Sequence, residues 1–397
     1  MGGSIMASTI NADTTNGVVV TSDTSGDLEL QSGGTTKAKI TSSGLQNASG
    51  SAITSQAGAN LIINGNMMID QRDSTATING TGVTYNVDRW LGRGETSEGV
   101  FTLAQDTTSP ADFTNSLKAT VTTIDDASPM WSTSSYRIQQ MVEGYNIEEL
   151  NWGTSDAQSV TLSFWVRSSV TGTFGGSVAN GDFNRFNVFS YTISSADTWE
   201  YKTVTIAGDT SGTWPTNNSL SLRLNFSLGA GSTLLAAAGS WGASTKEGVT
   251  GQTNVIATNS ATFYVTGVQL EANTTATPFE YLQYEQQLAL CQRYYYQWNT
   301  TSANNFLMFA MGVGTTALYG VVPFPTTMRS NPSSITFGSG WGRWLGGALT
   351  SISTIGIAES GTTSATLNCT TTGVTAEKMY GVLPGGATNY IGFNSEL

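Results

Sequence analysis

Tryptophan is the residue type that most clearly suggests a ligand-binding site, because ten tryptophans occur in a chain with only 11% charged residues. An indole ring stacks on the C–H face of a pyranose, and aromatic rings beside polar groups are typical of glycan sites. The stretch GSGWGRWLGG places Arg343 between Trp341 and Trp344, and its glycines predict an exposed loop. Trp241 and Trp214, in further predicted loops, complete the candidate glycan-binding set. The alternative for each tryptophan is packing in a core or a subunit interface.

Carboxylates are the remaining candidates for catalysis, because the chain contains no histidine. A glycosidase needs two carboxyl groups about 5–10 Å apart across a cleft. The pairs Asp125-Asp126 and Glu148-Glu149 are adjacent in sequence, so their side chains are expected to point apart. We therefore interpret both pairs as solvated turns and expect no catalytic residue.

Metal and cofactor chemistry has little support in the sequence. Asp70, Asp88 and Glu271 carry oxygen ligands that suit a structural calcium ion, but no spacing like that of an EF-hand is visible. Cys291 and Cys369 allow at most one disulfide, and two reduced, buried thiols are the expectation. We therefore predict neither a metal site nor a cofactor.

Composition argues against several classes of function. The chain has 397 residues and a net charge of −12, with no cluster of Lys and Arg to release counterions from nucleic acid. No run of about 18 apolar residues occurs, so membrane insertion is not expected. The start MGGSIMASTI lacks a basic region followed by an apolar one, so we expect no cleaved secretion signal. Low charge with abundant Ser, Thr, Asn and Gly is typical of β-rich extracellular or virion proteins.

Alternating patterns predict the elements that must position these residues. Residues 160–166 and 220–228 alternate apolar and polar side chains, so one set faces a core and the other faces solvent. An Asn64-Gly65 turn between two short apolar strands is expected at the start of the same region. About eight strands within residues 58–280 indicate an antiparallel β-sandwich of jelly-roll type. The other predicted strands are 100–104, 117–121, 186–193, 200–206 and 263–270.

The regions on both sides of the sandwich have different patterns. Residues 1–57 contain short apolar strands about ten residues apart, at 18–20, 28–30 and 38–40. One such ribbon buries too little surface to fold alone, so we predict an intertwined homotrimeric stem; the alternative is a disordered linker. Large side chains three or four apart predict a short connecting helix within 281–298, and 299–397 reads as a small β-sandwich tip. Tyrosines 294–296 are expected to pack between sandwich and tip.

Three stretches of the sequence resemble a known family. In order and spacing they are similar to bacteriophage tail-fibre and virion structural proteins, in which a carbohydrate-binding-module-like jelly roll lies within a trimeric fibre. The resemblance covers residues 59–298, and the tip at 299–397 matches nothing in that family. It implies a place in the virion more directly than it implies a ligand. The stretches are ANLIINGNMMIDQR at 59–72, YRIQQMVEGYNIEELNWGTSDAQSVTLSFWVRSSVTGTFGGS at 136–177 and VQLEANTTATPFEYLQYEQQLALCQRYYYQW at 268–298.

Pattern and resemblance together favour a homotrimeric phage tail fibre, assembled in the host cytoplasm and located in the virion. Its stem at 1–57 would contact a tail adaptor or a neighbouring virion protein, and its tip or jelly roll would contact a host-surface glycan or receptor. The mechanism is then multivalent binding without catalysis. Two alternatives stay open. The first is a purely structural virion protein, such as a capsid decoration or fibre spacer, and the second is a polysaccharide depolymerase.

Overall fold

The computed structural model describes residues 28–32, 35–41, 44–47, 60–80, 82–94, 98–126, 130–300, 302, 305–386 and 389–397. Strands dominate these residues, which confirms the all-β prediction. The chain forms two compact units, residues 1–57 with 275–279 and residues 58–274 with 280–397. Of the helices within the described residues, none has the length and apolarity needed to cross a lipid bilayer.

The first unit contains a three-stranded antiparallel meander. Leu28 lies opposite Ile40 in this meander, and the side chains of Leu30 and Ile40 are exposed. The strands predicted at 28–30 and 38–40 are confirmed, whereas the one predicted at 18–20 lies outside the described residues. A trimeric stem stays a prediction, because a sheet of this size is marginal alone. The strands are β1 (Leu28–Ser32), β2 (Thr35–Thr41) and β3 (Gly44–Asn47).

The second unit begins with an antiparallel β-sandwich, which confirms the predicted fold of the central region. Its strands are β4 (Ala76–Asn79), β5 (Val83–Tyr85), β6 (Trp90–Gly94), β7 (Val100–Asp106), β8 (Ser116–Thr123), β9 (Ser135–Glu143), β10 (Val160–Ser168), β11 (Gly172–Asn180), β12 (Phe186–Ile193), β13 (Glu200–Ile206), β14 (Leu220–Ala230), β15 (Leu235–Ala236), β16 (Trp241–Gly242), β17 (Gly248–Val249) and β18 (Thr262–Glu271). Sheet 1 has the order β13-β10-β18-β8-β7-β4, and sheet 2 has the order β16-β12-β11-β14-β9-β6-β5. The chain crosses repeatedly between the sheets, as in a jelly roll.

The core of the sandwich lies between the two sheets and follows the alternation of the sequence. On β14 the even-numbered residues from Leu222 to Leu228 are in the core, and the odd-numbered residues point to the outer face of sheet 2. Four aromatic rings lie with their centroids 5.0–6.5 Å from that of Phe226. Each buried side chain of this size contributes about 1.5–3 kcal/mol.

The segment before β4 differs from the two short strands expected around Asn64-Gly65. Asn64 has φ 58°, and its side-chain amide donates to the carbonyl oxygens of Ile69 and Asp88. Its own carbonyl accepts a hydrogen bond from Trp90 Nε1 at 3.0 Å. The predicted turn is confirmed, but the flanking residues form a buried loop instead of two strands. Its backbone is bonded partly by side chains and partly by β18, since Leu61 donates to the carbonyl of Leu270 and Val268 donates to the carbonyl of Gly65.

A single α-helix, α1 (Tyr284–Gln292), occurs among the described residues, and it is shorter than the predicted segment 281–298. The helix begins after Gln283, whose backbone N–H donates to the side chain of Gln286 at 3.3 Å. Cys291 is buried one turn after the buried Gln287. As predicted, Cys291 and Cys369 are both free and buried.

The C-terminal domain contains a closed six-stranded barrel where the sequence predicted a small β-sandwich. Closure occurs because β20 pairs with β21 and β26, and β23 pairs with β24 and β26. Two register shifts bend β24 and allow it to curve around the barrel. A separate sheet has the order β19-β27-β22. The strands are β19 (Tyr295–Thr300), β20 (Met308–Val313), β21 (Ala317–Pro323), β22 (Ser334–Phe337), β23 (Trp341–Leu345), β24 (Ala348–Ser360), β25 (Ser364–Thr371), β26 (Met379–Pro384) and β27 (Asn389–Asn394).

Buried ion pairs join the sandwich to the C-terminal domain. Arg89 donates to the carboxylate of Glu396, and both side chains are almost fully buried. The guanidinium of Arg89 also lies 3.5 Å from the ring centroid of Tyr294. The carboxylate of Glu143 accepts hydrogen bonds from Arg293 at 2.5 and 3.0 Å and from the Tyr294 hydroxyl at 2.6 Å.

The other two tyrosines of the run differ in their contacts. The guanidinium of Arg72 lies 3.6 Å from the ring centroid of Tyr295, and Tyr296 stacks on Phe393 with ring centroids 6.1 Å apart. The prediction that the tyrosine run packs between the sandwich and the C-terminal domain is therefore confirmed for Tyr294 and Tyr295, whereas Tyr296 packs within the C-terminal domain.

The junction should make folding stability depend on pH through Asp88. Burial raises the pKa of this carboxyl to about 7, although Arg72 and the hydrogen bonds from Gln71 act in the opposite direction. An unfolded aspartate titrates near pH 4, so between about pH 4 and 7 the folded state retains a proton that the unfolded state has lost. Stability therefore falls as pH rises through this window, by at most about 1.4 kcal/mol per pH unit from this group.

Asp88→Asn should flatten this dependence. The measurement is urea-induced unfolding at pH 5 and pH 7.5, with Asp126→Asn as the control because Asp126 is exposed. An unchanged pH dependence in Asp88→Asn would show that another group is responsible.

Candidate functional site

A cluster of polar side chains occupies the outer face of sheet 2. On β9 and β14 the residues that alternate with core residues point away from the core and are mainly polar. The strand register places Asn225 opposite both Gln139 and Ser177. All members of the cluster are buried except Arg93, which is half-buried. This polar face consists of Arg93, Arg137, Gln139, Ser177, Ser221, Arg223, Asn225 and Ser227.

Two other segments border the polar face. Glu247, from the loop that follows β14, accepts hydrogen bonds from Arg137 at 2.8 Å and from the Ser135 hydroxyl. Elsewhere on the outer face, the Tyr85 hydroxyl donates to the carbonyl oxygen of Leu397 at 3.0 Å. A cavity of about 410 Å³ opens beside the polar face, and its lining includes Arg93, Arg137, Phe183, Leu234 and Glu247.

Several polar atoms of this face have no hydrogen-bond partner among the described residues. They are both amide atoms of Gln139, Oδ1 of Asn225, Oγ of Ser221 and Nε of Arg223. Gln139 and Asn225 are 0% exposed. A buried polar atom without a partner costs about 1–3 kcal/mol, and such atoms in native proteins are generally satisfied. Gln139, Asn225 and Arg223 do not themselves line the cavity, so a ligand uses their polar atoms only when the groups that cover them move aside.

Arg223 is the most strongly perturbed charge of the polar face. Burial, together with repulsion from Arg93 and Arg137, lowers the pKa of Arg223 to about 10, so the side chain is still a cation at neutral pH. Its guanidinium lies 3.9 Å from the ring centroid of Phe183. Phe183 has φ 57°, a left-handed conformation that costs a non-glycine residue about 1–3 kcal/mol and that concentrates at functional sites.

The structure places Trp214 and Trp241 in a structural cluster with Trp152. The three rings meet edge to face with centroids 4.6–5.6 Å apart. Trp214 is buried and its Nε1 donates to Asp209, while Nε1 of the half-buried Trp241 donates to the carbonyl of Ala207 at 2.7 Å. Trp214 therefore has no accessible face on which a sugar could stack, which contradicts its predicted exposure.

The predicted exposed loop around Trp341 is instead β23. Trp341 is 3% exposed and belongs to the barrel core. Arg343 is also buried, and its guanidinium donates to the carbonyl oxygens of Thr372 and Gly373 at 2.8–3.2 Å. Only Trp344 of this set is exposed, at 42%. The glycine-rich flanks misled the prediction because they surround a strand of a closed barrel.

Trp344 belongs to a small aromatic surface on the outside of the barrel. Gly381 pairs with both Phe309 and Trp344 on neighbouring strands. The ring of Phe306 covers this glycine, since a Cβ at position 381 would lie 2.0 Å from it. Phe306 stacks on Phe309 with centroids 5.3 Å apart and meets Trp344 edge to face at 5.9 Å.

The two carboxylate pairs lie in different environments. Asp125 is buried and accepts a hydrogen bond from the Tyr136 hydroxyl at 3.1 Å, whereas Asp126 is exposed. Glu148 and Glu149 are exposed on a 3₁₀ turn, Glu148–Leu150. Both line a groove of about 620 Å³ that Glu280 also borders.

The candidate calcium ligands are separate in the structure. Asp88 accepts hydrogen bonds from Gln71 at 2.6 Å, and Glu271 accepts one from Gln269 at 3.0 Å. Within the described residues, no group of three or more acidic or cysteine side chains is placed to hold a metal ion. Asp70, Asp88 and Glu271 are therefore not brought together.

The sequence reasoning selected no residue of the polar face. It predicted correctly that Arg223 and Asn225 point away from the core, but it treated them as solvated. A usable signal was present in YRIQQMVE, where Arg137 and Gln139 occupy alternate positions of a strand, as Arg223 and Asn225 do on β14. The adjacency of β9 and β14 is a long-range pairing that the pattern did not predict.

Comparisons with known proteins identify no family for this chain. No family model matches, and no curated protein matches. Among solved structures, the enzymatically active domain of bacteriophage CBA120 tailspike protein 4 is similar, with 13% identity, a TM-score of 0.27, and coverage of 54% of this chain and 22% of that one. The family 11 carbohydrate-binding module of Clostridium thermocellum has 12% identity, a TM-score of 0.26, and coverage of 47% and 91%.

A putative sugar binding protein from Bacteroides thetaiotaomicron has 12% identity, a TM-score of 0.30, and coverage of 54% of this chain and 100% of that one. The match to the tailspike domain covers less than a quarter of that chain. At these identities and TM-scores, no functional property is transferred from those proteins to this chain.

Proposed function

We propose that this protein binds a host-surface glycan through the polar face of sheet 2, without catalysis. The observation that supports this proposal is the set of buried amide and guanidinium groups with unpartnered polar atoms beside an open cavity. Planar polar side chains bind the hydroxyl groups of a sugar, and an adjacent aromatic ring packs against its apolar face. Gln139, Asn225 and Arg223 supply the polar groups, and Phe183 supplies the ring.

The biological setting of this binding is a bacteriophage virion. The resemblance of residues 59–298 to tail-fibre proteins favours a homotrimeric fibre, with residues 1–57 contacting a tail adaptor or a neighbouring virion protein. Three copies of a weak glycan site on one particle raise avidity by about 10²–10⁴, provided that the sites bind simultaneously. Weak individual contacts are then sufficient for adsorption to a host cell.

Asn225→Ala should weaken glycan binding without unfolding the protein. The substitution removes the amide that faces Gln139 and loses one internal hydrogen bond, from Asn225 Nδ2 to the Ser177 hydroxyl at 2.9 Å. We expect a decrease in affinity of about 10-fold, the equivalent of one or two hydrogen bonds. The measurement is binding of the labelled full-length chain to a glycan array, with Asn115→Ala, immediately before β8 of the other sheet, as the control. Equal binding by the two variants would contradict the assignment of the site.

A carboxylate-dependent depolymerase is the second candidate function, because Glu148, Glu149 and Glu280 border one groove. It requires release of reducing sugar from a bound polysaccharide and loss of that activity in Glu149→Gln. A purely structural role in the virion requires that no glycan of the array is bound. The same glycan array, followed by a reducing-sugar assay, therefore separates the three functions.

A further inference from the structure

Arg223 differs from other buried arginines of the described residues in its acceptors. Arg89 and Arg137 each form an ion pair with a carboxylate. Arg343 donates at three short contacts to two carbonyl oxygens. Among the described residues, Arg223 has no carboxylate partner. A buried guanidinium without strong acceptors is costly, because its charge has lost the water that would otherwise solvate it.

The contacts that Arg223 does form are weak. Its Nη1 lies 3.7 Å from the sulfur of Met141, and its Nη2 lies 3.4 Å from the carbonyl oxygen of Gly181. Its Nε has no partner among the described residues. The ring of Phe183 covers one face of the guanidinium, so its N–H edge is the part that can receive an acceptor.

Positive charge is concentrated at this place although the protein as a whole is acidic. The chain has a net charge of −12, yet Arg93 and Arg137 repel Arg223, and Glu247, which pairs with Arg137, offsets only part of this repulsion. Like charges that approach each other in a buried site destabilise the ligand-free protein. A bound anion relieves the repulsion between them. An uncharged ligand would leave this repulsion in place.

We infer that the ligand of the polar face is an acidic saccharide, whose carboxylate or phosphate group pairs with the N–H edge of Arg223. This inference rests on the proposed glycan binding and adds the chemical class of the glycan. Guanidinium binds carboxylate and phosphate through two parallel hydrogen bonds, a geometry that neutral hydroxyl groups do not reproduce. Gln139 and Asn225 contact the hydroxyl groups of the same sugar, and Arg223 selects for charge.

The test uses matched pairs of glycans that differ only in charge. The array carries uronic acid oligosaccharides and their methyl esters, sialylated glycans and their asialo forms, and phosphorylated sugars and their dephosphorylated forms. The full-length chain, Arg223→Met, Asn225→Ala and the control Arg167→Met are compared. Arg167 suits this control because it lies on sheet 1 and pairs with the half-exposed Asp197.

We expect the acidic member of at least one pair to bind about 10–100-fold more tightly than its neutral counterpart. Arg223→Met should abolish this preference, whereas Arg167→Met should retain it, and Arg223→Met should melt at the same or a higher temperature than the parent chain. The kind of pair that shows the preference distinguishes a carboxylate from a phosphate. The inference is overturned if both members of every pair bind equally and Arg223→Met does not weaken that binding. If Asn225→Ala does weaken it, the proposed glycan binding remains intact. Absence of binding across the array overturns both.

Discussion

Glu396→Ala is expected to destabilise the protein by about 3–5 kcal/mol, because it leaves the charge of Arg89 buried without its carboxylate. Both side chains of this pair are almost inaccessible to water. Among the described residues, Arg89 would retain the carbonyl oxygen of Met141 and the ring of Tyr294 as partners. Arg72 would also lose its 3.5 Å contact with Glu396.

Urea-induced unfolding, followed by circular dichroism, measures this effect. Glu359→Ala is the matched control, because Glu359 is exposed on β24 and its loss should change stability by less than about 0.5 kcal/mol. Replacing both members, Arg89→Met with Glu396→Leu, should cost less than Glu396→Ala alone, since no unpaired charge remains. If Glu396→Ala behaves like the control, then the pair contributes little and water reaches Arg89.

Trp214→Ala should destabilise the protein by about 3–5 kcal/mol, the range for removing a buried tryptophan. The substitution leaves a cavity between Trp152 and Trp241, whose rings lose an edge-to-face partner. It also removes the Nε1 donor from Asp209, the carboxylate that pairs with Arg185 at 2.5 Å.

Thermal unfolding and near-ultraviolet circular dichroism are the measurements, since packed indole rings dominate the near-ultraviolet spectrum. Trp131→Ala is the control, because Trp131 is 58% exposed and should change the melting temperature little. A Trp214→Ala variant with unchanged stability and lost glycan binding would restore Trp214 to the role that the sequence suggested.

The sequence predicted the sandwich well because its signal is local. Alternation at 186–193 and 200–206 coincides with β12 and β13 to the residue. The failures occur where distant segments decide the outcome. Trp341 is buried because β23 pairs with β26 and closes a barrel. Asn64 forms side-chain hydrogen bonds with Ile69 and Asp88 that hold the segment as a buried loop instead of two strands.

The candidate site was less predictable than the fold, for a related reason. Alternation on β14 assigned Arg223 and Asn225 to the outer face, which is correct. Phe183, whose backbone adopts a rare left-handed conformation, covers the guanidinium of Arg223, and Glu247 from a distant loop pairs with the neighbouring Arg137. Neither contact has a local sequence pattern. Composition favoured the tryptophans, which are conspicuous in the sequence and mostly have structural roles in the fold.

The pairing of Arg89 with Glu396 also has a consequence for the order of events during synthesis. The two residues are 307 positions apart. A ribosome that adds about 5–20 residues per second exposes Arg89 on the order of 15–60 s before its carboxylate exists. The nascent sandwich must wait in a form whose junction is open. The residues that follow the last strand therefore complete the junction, and until Glu396 is translated Arg89 lacks its carboxylate partner.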